Sequence, residues 1–355
     1  MNQQHLDILK SGVKVWNSWR EAHPEIVPDL SGATLTGLTA QGINFNSTNL
    51  SRALLYEARL EKSMFIGANL NKAICAGSNF NESFFSRTRL TGTSFNSASL
   101  RSTNFMRSVF QRVDLSHAKL TTADFRLAKL DQVNLEFAKL DRVNFSGTRM
   151  VNCLVNGVMA TDLETQGIQL QKLIISNHDD PTVTVESLEV VQTVFARLYS
   201  LTVDCNSGAS PNLVLVFGDF QKERRKILRS IYWELKRRGL SPVLVYLDKP
   251  AGRSFFALLH QLALMARFII GDVSQPDLLP VDFINFIAQF RLPVQLMVQA
   301  ANDEEGWLTP NLQNCHWFLS PFCYQTVEEG TIGIGEKIIN PLEVKFQELQ
   351  RENSH

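Results

Sequence analysis

An apolar residue recurs at every fifth position of this 355-residue chain between positions 30 and 150, without one change of phase. The positions are filled mainly by Leu and Phe: Leu30, Leu35, Ala40, Phe45, Leu50, Leu55, Leu60, Phe65, Leu70, Cys75, Phe80, Phe85, Leu90, Phe95, Leu100, Phe105, Phe110, Leu115, Leu120, Phe125, Leu130, Leu135, Leu140, Phe145 and Met150. A helix repeats its faces every 3.6 residues and a strand every two. The period therefore excludes a plain helix or strand as the regular structure of this segment.

A small residue lies two positions before most of these apolar centres, as at Ala53, Ala68 and Ala123. The other three positions of each unit are mostly polar, and Asn often stands just before the centre. One large and one small side chain per unit are therefore expected to point inward, while the rest face water. Two clear units are GANLN and TADFR, at residues 67–71 and 122–126.

This pattern resembles the pentapeptide-repeat family, whose motif is A(D/N)LXX. The resemblance covers about a third of the chain. It implies a right-handed, four-sided β-helix over residues 30–160, with one pentapeptide per side and about twenty residues per coil. With strands stacked 4.8 Å apart, six such coils would make a rod roughly 29 Å long.

Residues 1–29 are expected to close the open end of this β-helix, where strand groups and core would otherwise be exposed. Residues 5–22 read as one amphipathic helix, with Leu6 and Trp16 on its apolar stripe. Trp16 and Trp19 are expected to pack on the first coil.

Outward residues can be assigned to four walls by counting, because residues twenty apart should lie above one another. One wall, called the basic wall below, collects basic residues opposed only by Asp131: Arg52, Lys72, Arg89, Arg112, Lys129 and Arg149. Between positions 30 and 150, fifteen basic residues face eight acidic ones, a net charge of +7.

Some pentapeptide-repeat proteins protect topoisomerases by imitating the negative surface of DNA, and a positively charged rod does not suit that role. The basic wall instead suits a nucleic acid, an anionic surface or an acidic partner, with an ordinary solvated wall as the alternative. Single-strand binding would need interleaved aromatic residues, so a nucleic acid is the less favoured partner.

Another wall carries outward apolar residues on successive coils: Met64, Ile66 and Phe84. Exposed apolar residues that stack in this way usually mark a contact. We expect them to pack against the second domain or a second copy of the chain. A protein partner or self-association is therefore predicted, and no membrane partner is implied.

The repeat decays before residues 161–210, which are predicted to connect two domains. Within this segment, residues 186–202 read as a helix with Leu188 and Val191 at helical spacing. The polar, turn-rich stretch DCNSGASPN, at residues 204–212, is the natural domain boundary.

Short apolar runs then alternate with helical segments. Strands are predicted at 213–217, 242–247, 267–273, 293–298 and 316–320, and helices at 221–238, 253–265, 278–289, 305–313 and 331–350. Continuous apolar strands between helices indicate a parallel sheet covered on both faces. We predict a five-stranded, flavodoxin-like α/β domain over residues 211–350, in which ligands bind outside the carboxyl ends of the strands.

The same region resembles a Toll/interleukin-receptor-like (TIR-like) domain of bacterial proteins. Its matching blocks are VLVFGDFQKERRKIL, LKRRGLSPVLVYLDKPAGR and LALMARFIIGDVSQP, at residues 214–228, 235–253 and 262–276. The resemblance implies either self-association as a signalling scaffold or cleavage of NAD at its nicotinamide bond by a Glu on a helix. Asp282 stands in place of that Glu and is the candidate catalytic residue, although its side chain is one methylene shorter.

The candidate binding site is the strand-end edge of this domain, with five residues: Gly218, Asp219, Lys249, Arg253 and Asp272. Gly218 precedes a helix whose first amides and positive dipole end suit a phosphate. Asp219 would repel that phosphate, and the alternative role of Asp219 and Asp272 is to cap helices. NAD is the candidate substrate or ligand, and no bound cofactor is expected.

The composition leads to three further expectations. The chain has 35 basic and 35 acidic residues, so its total charge favours no partner. Its five cysteines form no C-x-x-C pair and no metal-ligand spacing with His, so neither a disulfide framework nor a metal site is predicted. The polar start MNQQH and the absence of an eighteen-residue apolar run predict a soluble cytoplasmic protein.

The leading hypothesis is a non-enzymatic scaffold, a rod that presents a TIR-like domain for protein–protein interaction or self-association. The alternative is an NAD-cleaving or nucleotide-sensing enzyme regulated by the rod. The replaced Glu and the apolar residues at 255–259 favour the scaffold.

Overall fold

The computed structural model describes residues 1–199, 212–218, 224–274, 281–299 and 315–352, and the side chains of residues 281–284 are outside that description. The chain forms two compact units. The first consists of Met1–Ile175 and Ser187–Phe195, and the second of Ser176–Glu186 and Ala196–His355.

The first unit is a β-helix in which residues pair with those twenty positions further along. Parallel bridges run from Asp29↔Asn49 to Leu154↔Ile174. On one side the pairing forms five short strands: β1 (Arg89–Thr91), β2 (Val109–Gln111), β3 (Lys129–Asp131), β4 (Arg149–Val151) and β5 (Gln169–Gln171). A further strand, β6, spans Leu173–Ile174. The β-helix predicted from the five-residue period is therefore confirmed.

The coils continue through residues 151–175, beyond the position at which the sequence motif decays. Apolar residues still occupy the inward positions there, and Val155, Leu173 and Ile175 are fully buried. Polar residues such as Thr165 at other inward positions had hidden this phase. The coils therefore continue beyond the predicted boundary at residue 160.

Between positions 45 and 145, one inward column of the β-helix contains only phenylalanine: Phe45, Phe65, Phe85, Phe105, Phe125 and Phe145. Neighbouring ring centroids in this column are between 4.5 and 5.5 Å apart. Trp16 extends the column, with its ring 5.5 Å from that of Phe45. Aromatic pairs contribute about 0.5–1.5 kcal/mol beyond the burial of their area, so the column stabilises the coils against one another.

Each corner of a coil is a tight turn with a residue in the left-handed region. The amide of the small inward residue donates to the carbonyl of the preceding centre, as from Ala33 to Leu30 at 3.1 Å. Positive φ recurs two residues after each centre, even at Leu127 (59°) and Phe137 (57°). This conformation costs an L-residue about 1–2 kcal/mol, so the stacked coils hold the corners against a local preference.

Two helices close the first coil in place of the single helix predicted for residues 5–22: α1 (Gln3–Lys10) and α2 (Val13–Ala22). They are separate because Gly12 has a φ of 106°, which no helix accepts. Trp16 is fully buried, and its Nε1 donates to the carbonyl of Asn44 at 2.7 Å. The side chain of Asn17 bonds to two backbone groups of the first coil as a paired strand would. Its Nδ2 donates to Gly42 O at 3.0 Å, and its Oδ1 accepts from Asn44 N at 2.8 Å.

Two more side chains of α2 complete this cap. Trp19 packs on Trp16, with ring centroids 5.4 Å apart. The guanidinium of Arg20 is buried and donates to the carbonyls of Ile26 at 2.7 Å and Asn46 at 3.2 Å. Trp16 therefore packs on the first coil as predicted, whereas Trp19 packs on Trp16.

Helix α3 (Leu188–Leu198) lies within the predicted helix 186–202, of which residues 200–202 are outside the described part of the chain. Its first residues belong to the β-helix unit. Gln192 Nε2 donates to the carbonyl of Ala160 at 3.4 Å, and Val191 and Val194 are fully buried.

The sheet of the second unit has the strand order β12-β11-β10-β8-β9-β7. The strands are β7 (Thr182–Val185), β8 (Leu213–Gly218), β9 (Ser241–Tyr246), β10 (Ala266–Asp272), β11 (Val294–Gln299) and β12 (Phe322–Tyr324). The five strands from β8 onward are parallel and follow the order 2-1-3-4-5 of flavodoxin-like folds. Strand β7 runs antiparallel to β9 and was not predicted.

The fifth parallel strand is β12 and not the predicted segment 316–320. Within that segment Phe318 makes only a single bridge, to Val294. Pro321 follows and has no amide hydrogen to continue the ladder, so regular pairing begins at Phe322.

The helices of the second unit mostly follow the prediction: α4 (Arg225–Arg237), α5 (Arg253–Ala263) and α6 (Val281–Ala288). The helix predicted at 305–313 lies outside the described residues. The last predicted helix, at 331–350, consists of a π-helical turn (Gly335–Ile339) followed by α8 (Asn340–Glu352). A short helix that was not predicted, α7 (Val327–Thr331), precedes it, and Gly333, where φ is 73°, lies between α7 and the turn. The apolar face of α4, with Ile227 and Ile231, packs in one core cluster with Val214 of β8.

Candidate functional site

The basic wall consists of two rows of cationic side chains with a polar row between them. The first row lies at corner positions with positive φ: Arg52, Lys72 and Arg112. The second row begins three of the short strands: Arg89, Lys129 and Arg149. The row between them is uncharged over four successive coils: Ser51, Asn71, Thr91 and Gln111. All six basic side chains are exposed, and none forms an ion pair within the part of the chain that the structure describes.

Two carboxylates accompany this wall, Asp29 at its start and Asp131. Hydrogen bonds from the N-terminal ammonium and from Ser31 lower the pKa of Asp29 to about 2. Its Oδ1 also accepts from Asn49 Nδ2 at 3.0 Å. Asp29 is therefore already bonded to the N-terminal ammonium, Ser31 and Asn49. Asp131 is the main negative charge that remains near the six basic side chains.

A depression of about 420 Å³ opens at the first coils of the basic wall, lined by Ser31, Gly32, Ser51, Arg52, Asn69, Asn71 and Lys72. The amide oxygen of Asn69 accepts from Asn71 N at 3.1 Å, and that of Asn71 accepts from Thr91 N at 3.0 Å. Both oxygens are thus turned toward the backbone. The NH₂ of Asn69 donates to Asn49 Oδ1 at 3.2 Å, so the NH₂ of Asn71 is the amide donor that the depression offers. None of the seven lining residues is acidic, so the depression presents donors and positive charge.

The apolar residues predicted to form a contact lie together on one wall. Met64 and Phe84 are bridged neighbours on successive coils. Ile66 and Phe84 are 40% and 45% exposed, and Met64 is half-buried. We call Met64, Ile66 and Phe84 the apolar island. Another exposed aromatic residue, Tyr56, lies on a different wall. It was not predicted to form a contact because single exposed aromatic residues are common on protein surfaces.

At the strand-end edge of the second unit, Asp272 ends β10 and pairs in register with Gly218, which ends β8. The structure therefore brings together two of the five predicted site residues. The Asp272 carboxylate accepts from Ser274 N at 3.1 Å, from Ser274 Oγ at 2.6 Å and from Tyr324 OH at 3.3 Å. Burial and the charge of Asp272 raise the pKa of Tyr324 to about 12, so its phenol remains a neutral donor at pH 7.

This strand-end cluster extends to the next strand. Ser274 Oγ accepts from the amide of Gln299 at 2.8 Å, and Arg224 Nη2 donates to Gln299 Oε1 at 3.5 Å. Ser274 belongs to the stretch that suggested the TIR-like resemblance, whereas Tyr324 gave no signal because its strand was predicted elsewhere. Among its described contacts, Asp272 fastens the chain that follows its own strand.

Lys249 and Arg253 make no hydrogen bond with this cluster in the described residues. The ammonium of Lys249 donates to the backbone carbonyl of His178. Helix α5, which begins at Arg253, is fastened by Asp180, whose carboxylate accepts from Gly252 N at 3.2 Å and from Ser254 Oγ at 2.5 Å. Asp180 is buried and was missed, because it lies far from this helix in sequence.

Two predicted site residues, Asp219 and Asp282, lie wholly or partly outside the described residues. Asp219 and the side chain of Asp282 lie outside the described residues, and the backbone of Asp282 belongs to α6. Within the described ranges, no group of three or more His, Cys, Asp or Glu residues could hold a metal ion. No described helix has the length and apolar character needed to cross a bilayer.

Stacked coils of twenty residues, with one five-residue unit per side and apolar columns inside, define a β-helix built from pentapeptide repeats. The sequence profile of the family described as pentapeptide repeats (8 copies) matches six overlapping segments of this chain, at residues 29–65, 43–74, 68–107, 88–126, 108–147 and 123–157. Residues 29–157 of this chain accordingly consist of pentapeptide repeats.

Two solved structures are similar to part of this chain. HetL, a pentapeptide repeat protein involved in heterocyst differentiation regulation in the cyanobacterium Nostoc sp. strain PCC 7120, is 19% identical over 42% of this chain and 85% of its own, with a TM-score of 0.21. QnrB1, a plasmid-mediated fluoroquinolone resistance protein, is 17% identical over 49% of this chain and 85% of its own, with a TM-score of 0.26.

A pentapeptide repeat protein from the thylakoid lumen of Arabidopsis thaliana is 26% identical over 38% of this chain and 67% of its own, with a TM-score of 0.17. Comparison with curated proteins finds no match. The family assignment rests on the repeat profile and the coils themselves.

Proposed function

We propose that this protein is a non-enzymatic cytoplasmic scaffold whose β-helix offers rigid walls for contact with other proteins. The observation that carries the proposal is the apolar island. Its side chains lie on neighbouring coils, and two of them are 40% and 45% exposed. A cluster on a rigid support loses little conformational freedom on contact, which favours association. Exposed Arg87 and Arg107 lie along the same wall and supply the polar rim that interfaces need.

We further propose that the second unit is a TIR-like domain that serves protein–protein interaction or self-association. Support comes from the three resembling sequence blocks and from the 2-1-3-4-5 order of the parallel strands. The outer face of α4 adds a contact candidate, because Arg225, Arg229 and Trp233 follow one another at four-residue spacing and are all exposed. Trp233 is 67% exposed, and tryptophan with arginine is typical of interface hot spots.

Light scattering over a range of protein concentrations tests self-association through the apolar island. We expect a mass above the 40.0 kDa of one chain, returning to that of a monomer in Phe84→Asp. Tyr56→Asp is the matched control, because Tyr56 is 41% exposed on a different wall. A wild-type protein that stays monomeric at 100 µM, or a Phe84→Asp variant with unchanged mass, would contradict this role of the island.

The alternative function is cleavage of NAD or sensing of a nucleotide by the second unit. The observation in its favour is the position of Gly218 and Asp272 at neighbouring strand ends, where α/β sheets of this order bind ligands. Incubation with NAD, followed by chromatography of nicotinamide, separates the two functions. Release by the wild type that Asp282→Ala abolishes would establish the enzyme, whereas no release at associating concentrations is the result the scaffold predicts.

A further inference from the structure

We propose that the basic wall binds the phosphodiester backbone of a double-stranded nucleic acid without reading its sequence, and that the depression between Arg52 and Lys72 receives one phosphate. This inference uses a different wall from the apolar island. Its failure and that of the scaffold are therefore distinguishable.

The first support is charge that the described chain does not neutralise. All six cations of the wall are exposed without an ion pair among the described residues. Asp131 is the main acidic group near them, because Asp29 is already hydrogen-bonded to Ser31 and Asn49. A polyanion placed along these rows would release its counterions and gain affinity from each cation.

The second support is the chemistry of the depression. Arg52 and Lys72 supply charge, and the NH₂ of Asn71 and the hydroxyl of Ser51 supply donors beside them. The amide oxygen of Asn71 is held by the backbone amide of Thr91, so the side chain cannot offer it to a cation without losing that bond. Phosphate oxygens only accept hydrogen bonds, and this lining provides donors for them.

The length of the wall favours a chain of phosphates over a single small anion. Positions 52 to 149 span about five coils, or roughly 24 Å at the usual strand spacing. A duplex lying along this length would present about seven base-pair steps. A lone phosphate would need only the depression and would leave Arg89, Lys129 and Arg149 without a ligand.

The absence of aromatic side chains from the wall selects the duplex over a single strand. Single-strand binding without sequence preference relies on bases stacking on aromatic rings. The two cationic rows contain no aromatic residue, and the row between them is Ser, Asn, Thr and Gln over the first coils. Contacts of this kind reach phosphates and not bases, so the binding should be indifferent to sequence.

Fluorescence anisotropy with a labelled 20-base-pair duplex tests the proposal on the full chain. If three to five phosphates are neutralised, the slope of log Kobs against log [NaCl] should be about −3 to −4.5 between 50 and 200 mM salt. The double variant Arg52→Glu/Lys72→Glu should bind at least ~10-fold more weakly and with a shallower slope. Ser51→Ala removes a donor without changing charge, so it should weaken binding a few-fold and leave the slope unchanged.

The matched control is Arg59→Glu/Lys139→Glu, which makes the same change of charge at two exposed positions of another wall. Circular dichroism confirms that each variant is folded. We expect the control to bind within ~3-fold of the wild type. The proposal is overturned if the wild type fails to bind the duplex in 50 mM salt, or if the control weakens binding as much as the wall variant. It is equally overturned if poly-glutamate competes as well as the duplex, or if a single strand of the same length binds more tightly.

Discussion

The rings of Phe65 and Phe85 lie one above the other on successive coils, with centroids 4.5 Å apart and planes only 4° from parallel. Both side chains are fully buried. The separation is close to the spacing of paired strands, so the coil pitch itself sets the distance between the rings. The aromatic column and the backbone ladder therefore reinforce each other along the rod.

Truncation of this column should be costly. We expect Phe85→Ala to lower the free energy of unfolding by about 3–5 kcal/mol, because it opens a cavity between two rings. The side chain of the neighbouring Phe84 points outward, so Phe84→Ala should change the free energy of unfolding by ~1 kcal/mol or less. Urea denaturation measures both values, and equal losses would contradict the assignment of inward and outward positions.

A corner glycine is expected to be irreplaceable for two separate reasons. Gly157 has a φ of 66°, and a Cβ there would lie 2.4 Å from the ring of Phe137. Gly157→Ala should destabilise the protein by about 2–4 kcal/mol through backbone strain and overpacking. In a Phe137→Ala background only the strain of about 1–2 kcal/mol should remain. A double-mutant cycle that shows no coupling between the two positions would refute this contact.

The cap should protect the first coil from opening. Asn17→Ala removes a donor to Gly42 O and an acceptor for Asn44 N, and leaving these partly buried backbone groups unpaired should cost about 1 kcal/mol each. We expect faster hydrogen exchange at the amides around residue 44 and unchanged exchange around residue 125. Ser18→Ala, at an exposed position of the same helix, is the control. Exchange that is equally slow in both variants would show that the helix does not seal the end.

Acid should weaken one ion-pair network in the second unit. Arg237 and Arg238 donate to Glu234 at 2.7 and 2.8 Å and lower its pKa from 4.5 to about 2. A lowered folded-state pKa gives stability that is complete above pH 4.5 and is lost as the pH falls toward 2. Glu234→Gln should therefore cost about 0.5–1 kcal/mol at pH 7, and this difference should disappear near pH 2. Urea denaturation of the wild type and of Glu234→Gln at several pH values measures this loss of stability. A loss that does not depend on pH would contradict its origin in the ion pairs.

The five-residue period was sufficient to predict the β-helix, the inward columns and the membership of each wall. It was sufficient because a single register governs every residue of the coils, and Met64 and Phe84 are neighbours as counting required. The positive φ at the corners was not predictable, since residues such as Leu127 and Phe137 do not favour it alone. Stacking with the coils on either side imposes the left-handed conformation at these corners. The local sequence preference of the corner residues therefore does not predict it.

The second unit was less predictable because its short elements depend on distant partners. Strand β7 is only four residues long and pairs with β9, more than fifty residues later. The cluster around Asp272 likewise depends on Tyr324, whose strand starts after Pro321. The sequence indicated Gly218 and Asp272 as strand ends but could not show that Ser274 and Tyr324 occupy the hydrogen bonds of that carboxylate.

Both proposals require that residues twenty apart lie directly above one another on one wall. Spin labels at Arg52→Cys and Lys172→Cys test this directly, after Cys205, Cys315 and Cys323 are replaced by Ser. Cys75 and Cys153 are buried, and burial raises the pKa of both thiols, so they should resist labelling.

The two labelled positions are six coils apart in the register, and double electron–electron resonance should give one narrow distance distribution centred near ~29 Å. A broad distribution, or one centred beyond ~40 Å, would contradict the rod and the walls built on it.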